Sequence, residues 1–206
     1  MRRYSIRLMM AGIAAAALVT AATLAQSGTG PDGWRLSARY TARVSFLIFM
    51  AAYLAGPVAR LWHDRFIAAV LRQRRGIGLA FAGAHTVHLA AFVVFFVLIG
   101  SGPGLVGIVF GGLAYVFVFA MAATSNDRSV RALGPRAWGW LHRIGLHYLW
   151  FIFTIALLGL SLKAPAVRNV TVERAMLALA LFGLALRVAP FLIRRIRPRL
   201  NEGALS

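Results

Sequence analysis

Cysteine is absent from the 206 residues. Disulfides, iron–sulfur clusters and thiolate chemistry are therefore excluded. Acidic residues are nearly absent: Asp32, Asp64, Asp127, Glu173 and Glu202 are the five, and all fall in expected loops or tails. A carboxylate relay through a membrane, as proton-coupled transporters use, has nothing to run on. Charged residues make up only 14%, where a soluble domain carries about a quarter. No glycine-rich phosphate loop stands in a strand-to-helix context, and no low-complexity stretch or soluble domain is visible. What is present is apolar: 60% hydrophobic residues and a mean hydropathy of +0.75, the composition of a membrane protein. The net charge of +18 does not indicate nucleic-acid binding. The arginines sit at the ends of apolar runs, where they orient helices toward the cytoplasm.

About 20 apolar residues span a bilayer. Six segments approach that length: Arg7–Ala25, Thr41–Leu61, Ile77–Ile99, Gly104–Ala123, Ala137–Leu160 and Thr171–Ile193. The expectation is an all-α, polytopic membrane bundle, one transmembrane domain over residues 1–206. Arginines cluster at Arg2, Arg3 and Arg7; at Arg60, Arg65, Arg72, Arg74 and Arg75; at Arg128, Arg131 and Arg136; and at Arg194, Arg195, Arg197 and Arg199. Six spans put these clusters on one side and the charge-free "GSGPG" on the other, so both termini are expected in the cytoplasm. Residues 1–26, with a basic start, an alanine-rich middle and small residues near Ala25, also fit a cleavable signal peptide. Removal of that segment would leave five helices in the same orientation.

Histidine is the informative residue. His63 falls in a cytoplasmic connection and carries little meaning. The stretch "RRGIGLAFAGAHTVHLAAFVVFF" holds His85 and His88, and the fifth segment holds His142 and His147. Both segments are expected to run from inside to outside. Counted from the last arginine at 1.5 Å per residue, the four histidines fall between about 9 and 20 Å along, which allows one shared band. His85 and His88 are three apart and share a face. His142 and His147 are five apart, about 140° around the helix, so the simplest site takes one imidazole from each helix. Neutral imidazoles in an apolar bundle suit a b-type haem with axial histidine ligands. Gly76, Gly78, Gly83, Gly139 and Gly145 would leave room beside the ring, and Phe81, Trp138, Trp140 and Trp150 would pack on it. Copper or zinc, and histidines that merely bridge helices or handle protons, remain alternatives on these residues.

Three stretches carry a family resemblance. "RRGIGLAFAGAHTVH" resembles the third-helix signature of the ferric reductase-like transmembrane family, an Arg-Arg, an Ile-Gly-Leu and a His fourteen residues after the first Arg, here His88. "ATSNDRSVRALGPRAWGWLHRIG" resembles the family's passage from fourth to fifth helix through Thr124, Ser125, Leu133, Gly134, Trp138, Leu141 and His142. "ARVSFLIFMAAYLAGPVARL" resembles its second helix. The likeness spans roughly residues 38–160. The family takes in ferric reductases, NADPH oxidases and a bacterial haem subunit of a methionine sulfoxide reductase system.

The resemblance implies six helices, b-type haem, transmembrane electron transfer in a bacterial inner membrane, and His88 and His142 as axial ligands, with His85 and His147 as alternates. It departs from the family in two places. Two-haem members space their histidines thirteen apart on each helix, whereas position 155 here is Ile155, so one haem is expected. His147 stands where relatives often carry an aromatic residue. With no flavin or nicotinamide domain in the sequence, the expected donor is a separate flavoprotein reductase or a quinol, and the expected acceptor lies on the outer side. Arg39, Arg43 and Arg187 are candidates for the haem propionates, although the simplest reading of Arg187 is snorkelling to the cytoplasmic surface. The rival class is a haem-free permease or assembly factor with structural histidines.

Overall fold

The structure, a computed structural model, describes residues 3–61, 64–162 and 170–202, with side chains through residue 190. His63 and the side chains of Arg194, Arg195, Arg197 and Arg199 lie outside the described residues. Every described element is helical: α1 (Arg3–Ser27), α2 (Pro31–Leu61), α3 (Arg65–Arg72), α4 (Arg74–Leu98), a π-helical turn (Gly107–Gly111) running into α5 (Gly112–Ala123), α6 (Asp127–Ser161) and α7 (Thr171–Glu202). Among the described residues, four helices are long and apolar enough to cross a membrane: α1, α2, α4 and α6. Gly107–Ala123 is apolar but shorter.

Three boundaries differ from expectation for local reasons. α2 starts at Pro31, ten residues before the apolar run, because Pro at the first helical position and Asp32 in the first turn favour a start there. Arg35 and Arg39 therefore ride on a helix rather than in a connection, in line with Arg43 of the expected span. α6 begins at Asp127, capped by Asn126 Oδ1 accepting the Ser129 amide at 2.8 Å. It kinks at Gly134, whose φ of 77° only glycine adopts freely, and Pro135 restarts the helix. The arginine-rich connection after α2 contains α3, capped by Asp64 accepting the Phe66 amide at 2.7 Å.

One end of the bundle, the lower end, gathers the starts of α1, α4 and α6. Tyr4 Oη donates to Gln73 at 2.9 Å, and Arg75 pairs with Asp127 at 2.7 Å. α4 and α6 are thus parallel, as the histidine reading required. α1 packs flat on α4 because Gly12 has no side chain: a Cβ there would strike the Ala80 carbonyl. α2 runs through the middle. Its Phe46, Phe49, Met50 and Tyr53 are almost fully buried and meet Phe81 of α4, Val118 of α5, Leu149 and Leu157 of α6, and Ala180 of α7.

Candidate functional site

The α4 histidines line an upper cavity of about 950 Å³, at the top of the 300–1,000 Å³ range of cofactor sites. Its walls are Phe46, Phe92, Tyr115 and Phe153, and its rim carries Arg35, Arg39 and Arg43 of α2 with Glu173 of α7. His85 and His88 stand with ring centroids 5.0 Å apart, as a spacing of three on a helix dictates. Ser37, Ala38 and Thr41 are small and buried where α2 meets α4. That close approach lets His88 Nδ1–H donate to the Ala38 carbonyl at 2.8 Å. The bond fixes the tautomer and leaves Nε2 unprotonated, an arrangement that metal-binding histidines share. His85 is stacked between Phe81 at 5.1 Å and Tyr115 at 4.9 Å. Its Nδ1 is buried without a hydrogen-bond partner.

The α6 histidines line a second, lower cavity of about 490 Å³, with Gly78, Trp138, Gly139, Arg74, Arg75, Arg143 and Arg187. His142 Nδ1–H donates to the Trp138 carbonyl at 3.1 Å, its ring lies 4.1 Å from that of Trp138, and its Nε2 is buried without a partner. Trp138 in turn donates to the Thr124 carbonyl at 3.0 Å. His147 is exposed, donates to the Arg143 carbonyl at 2.7 Å and sits edge-on to Tyr53 at 6.1 Å.

The structure brings His85 together with His88 and places His142 and His147 around one cavity, but it does not join the two pairs. Phe49, Phe81 and Leu149 stand between them. His85 faces Phe153 at 5.5 Å, which lies eleven residues past His142, or ~16 Å along α6. The shared band assumed that Arg75 and Arg136 end their helices at one level. The His85–Phe153 contact makes that level differ by about seven residues, ~10 Å.

Other expected residues are redistributed too. Gly78 and Gly139 border the lower cavity, whereas Gly76 and Gly83 pack on Leu8 and Ile13 of α1, and Gly145 packs on Met121 and Phe117. Trp150 donates to the Ala180 carbonyl at 2.9 Å and ties α6 to α7, while Trp140 is exposed beneath Arg143. Arg187 does not snorkel: it donates to the Tyr53 carbonyl at 2.7 Å and lies over the Tyr53 ring at 4.0 Å. Glu173, read as a loop residue, is only 1% exposed and pairs with Arg43 at 2.7 Å. Neither it nor Tyr115 was singled out from sequence; a lone acid opening an apolar run, with an arginine on a neighbouring span, was the available signal. Among the described residues no three histidine, aspartate or glutamate side chains converge on a metal-sized point, which leaves the copper or zinc alternative without a three-ligand cluster.

The upper cavity's residues fit a haem: apolar walls for the macrocycle, an imidazole held by its far nitrogen, and cations at the rim for carboxylates. No family model matches the chain, and no solved structure matches it. Over a 129-residue alignment the chain is 30% identical to the heme-binding subunit MsrQ of a protein-methionine-sulfoxide reductase from Enterobacter sp. (strain 638). The alignment covers 55% of this chain, which thus spans 62% of that relative's length, so the similarity is to a haem-binding subunit over part of each protein.

Proposed function

We propose that this chain is an integral-membrane b-type haem protein that relays single electrons from a separate donor, a flavoprotein reductase or a quinol, to an acceptor on the outer side. In this reading residues 1–206 form one domain of six spans with both termini in the cytoplasm, seated in a bacterial inner membrane. The likeness to a haem-binding subunit supports it. The observation that carries it is His88, whose Nδ1–H is spent on Ala38 while the ring faces a large apolar cavity.

Bound haem would supply a one-electron ferric/ferrous couple. The protein does the rest. One haem is proposed: His88 would hold it at the upper level, with His85 as alternate, or His142 at the lower level, with His147 as alternate, because His88 and His142 line separate cavities and cannot both reach one iron. The two levels lie apart, so the spectra of single replacements decide which level holds iron. Arg35, Arg39 and Arg43 bring positive charge to the rim where propionates need partners. Phe46, Phe92 and Phe153 keep water out of the cavity.

The purified full chain is expected to show a Soret band, with resolved alpha and beta bands after dithionite. His88→Ala is expected to abolish them where the upper level holds the iron and His142→Ala where the lower level does, and His63→Ala to leave them unchanged. A colourless purified protein would instead support the haem-free permease or assembly factor. Full haem content in both single replacements would overturn the ligand assignment.

A further inference from the structure

α3 borders neither cavity. Its eight residues, "RFIAAVLR", place Phe66, Ile67, Val70 and Leu71 on one face and Arg65 and Arg72 on the opposite one. None of the eight is buried. Phe66 is 73% exposed and Leu71 39%, while Ile67 and Val70 are half-buried, so the rest of the chain covers the apolar face only in part. The helix is firmly started, because Asp64 accepts the Phe66 amide. It follows α2 within a few residues and hands over to α4 through Gln73 alone. Wherever α2 and α4 cross a bilayer, α3 lies at its surface.

The charge around it is mainly positive. Arg60 ends α2 and Arg74 and Arg75 open α4. Asp64 is engaged in the cap and Asp127 in the pair with Arg75.

We propose that α3 is an interfacial helix. Its Phe66 face is seated at the acyl boundary, and Arg65 and Arg72 rest on anionic phospholipid headgroups of the leaflet at the lower end. A short helix with a separate apolar and cationic face takes this position, and basic residues beside spans are drawn to anionic leaflets. An acidic surface alone would satisfy the arginines but leave Phe66 in water; a bilayer with anionic headgroups satisfies both faces at once. The inference rests on α2 and α4 crossing the membrane and not on haem binding.

The cysteine-free chain allows a clean test. Phe66→Cys and Arg72→Cys, each carrying a nitroxide, are placed in nanodiscs of phosphatidylcholine alone or mixed with phosphatidylglycerol. In the mixed discs the Phe66 label is expected to collide with oxygen severalfold more than with a water-soluble nickel chelate, and the Arg72 label to do the reverse. That contrast should shrink in phosphatidylcholine alone and in an Arg65→Gln background. Arg72→Cys keeps the apolar face and serves as the folded reference. A Phe66 label as open to nickel as the Arg72 label in both lipids overturns the proposal and leaves the face to a protein partner. Equal contrast in the two lipids overturns the headgroup contact.

Discussion

The two cavities hold their imidazoles by different means. In the upper one, His88 is tied to α2 through Ala38 and His85 is gripped by Tyr115 of α5. Its position depends on three helices being correctly packed. In the lower one, His142 and His147 each donate to a carbonyl four residues back on their own helix, a bond that any isolated helix could offer. The upper rim carries a buried carboxylate in an ion pair, while the charged residues of the lower lining are four arginines and Asp127. The lesson is that a preorganised ligand is marked by a partner from another element. An imidazole bonded to its own backbone has its tautomer fixed but not its place relative to a cofactor.

The strongest way to break this comparison is spectroscopic. Replacing each of the four histidines by alanine and reading haem absorbance separates the levels. Loss in both His88→Ala and His142→Ala would break the comparison, because one iron would then draw on two cavities that the structure holds apart. Loss confined to one pair assigns iron to that cavity.

Next comes the wall. Phe81 is 5% exposed and touches Phe49, His85 and Phe153. Phe81→Ala is expected to cost about 3–5 kcal/mol, read from denaturation in detergent, and to change His85 and His142 environments together. A change at one cavity only would mean that the wall does not couple them.

Arg43→Met isolates the upper rim. Removing one partner of a buried ion pair costs about 3 kcal/mol, and Glu173→Gln in the same background is expected to restore part of it in a double-mutant cycle. Additive losses would show that the pair is not coupled.

The smallest effect belongs to the lower cavity. Trp138→Phe keeps a ring on His142 but removes the donation to Thr124, for an expected loss of about 1 kcal/mol with upper-cavity spectra unchanged.

Apolar length and arginine placement were enough, from sequence, to give an all-helical membrane protein and to mark α4 and α6 as parallel histidine helices. Hydropathy is additive along the chain, so a run of residues reports it without a partner. Ends were less legible. α2 reached back through Arg39 and Arg35 because helix initiation obeys Pro31 and Asp32, not polarity. α3 hid in an arginine-rich connection because eight residues are too few for hydropathy to register.

The sequence by itself determined which residues could serve: four imidazoles within apolar spans, no thiol, and a scarcity of acids. Tertiary structure alone decided which of them meet. The sliding offset of α6 against α4, about seven residues of rise, is set by side-chain packing between helices and appears in neither helix's own sequence. The same holds for Glu173, which became a buried partner only because α7 carried it beside Arg43. Periodicity specifies a face; only contact with another element specifies a depth.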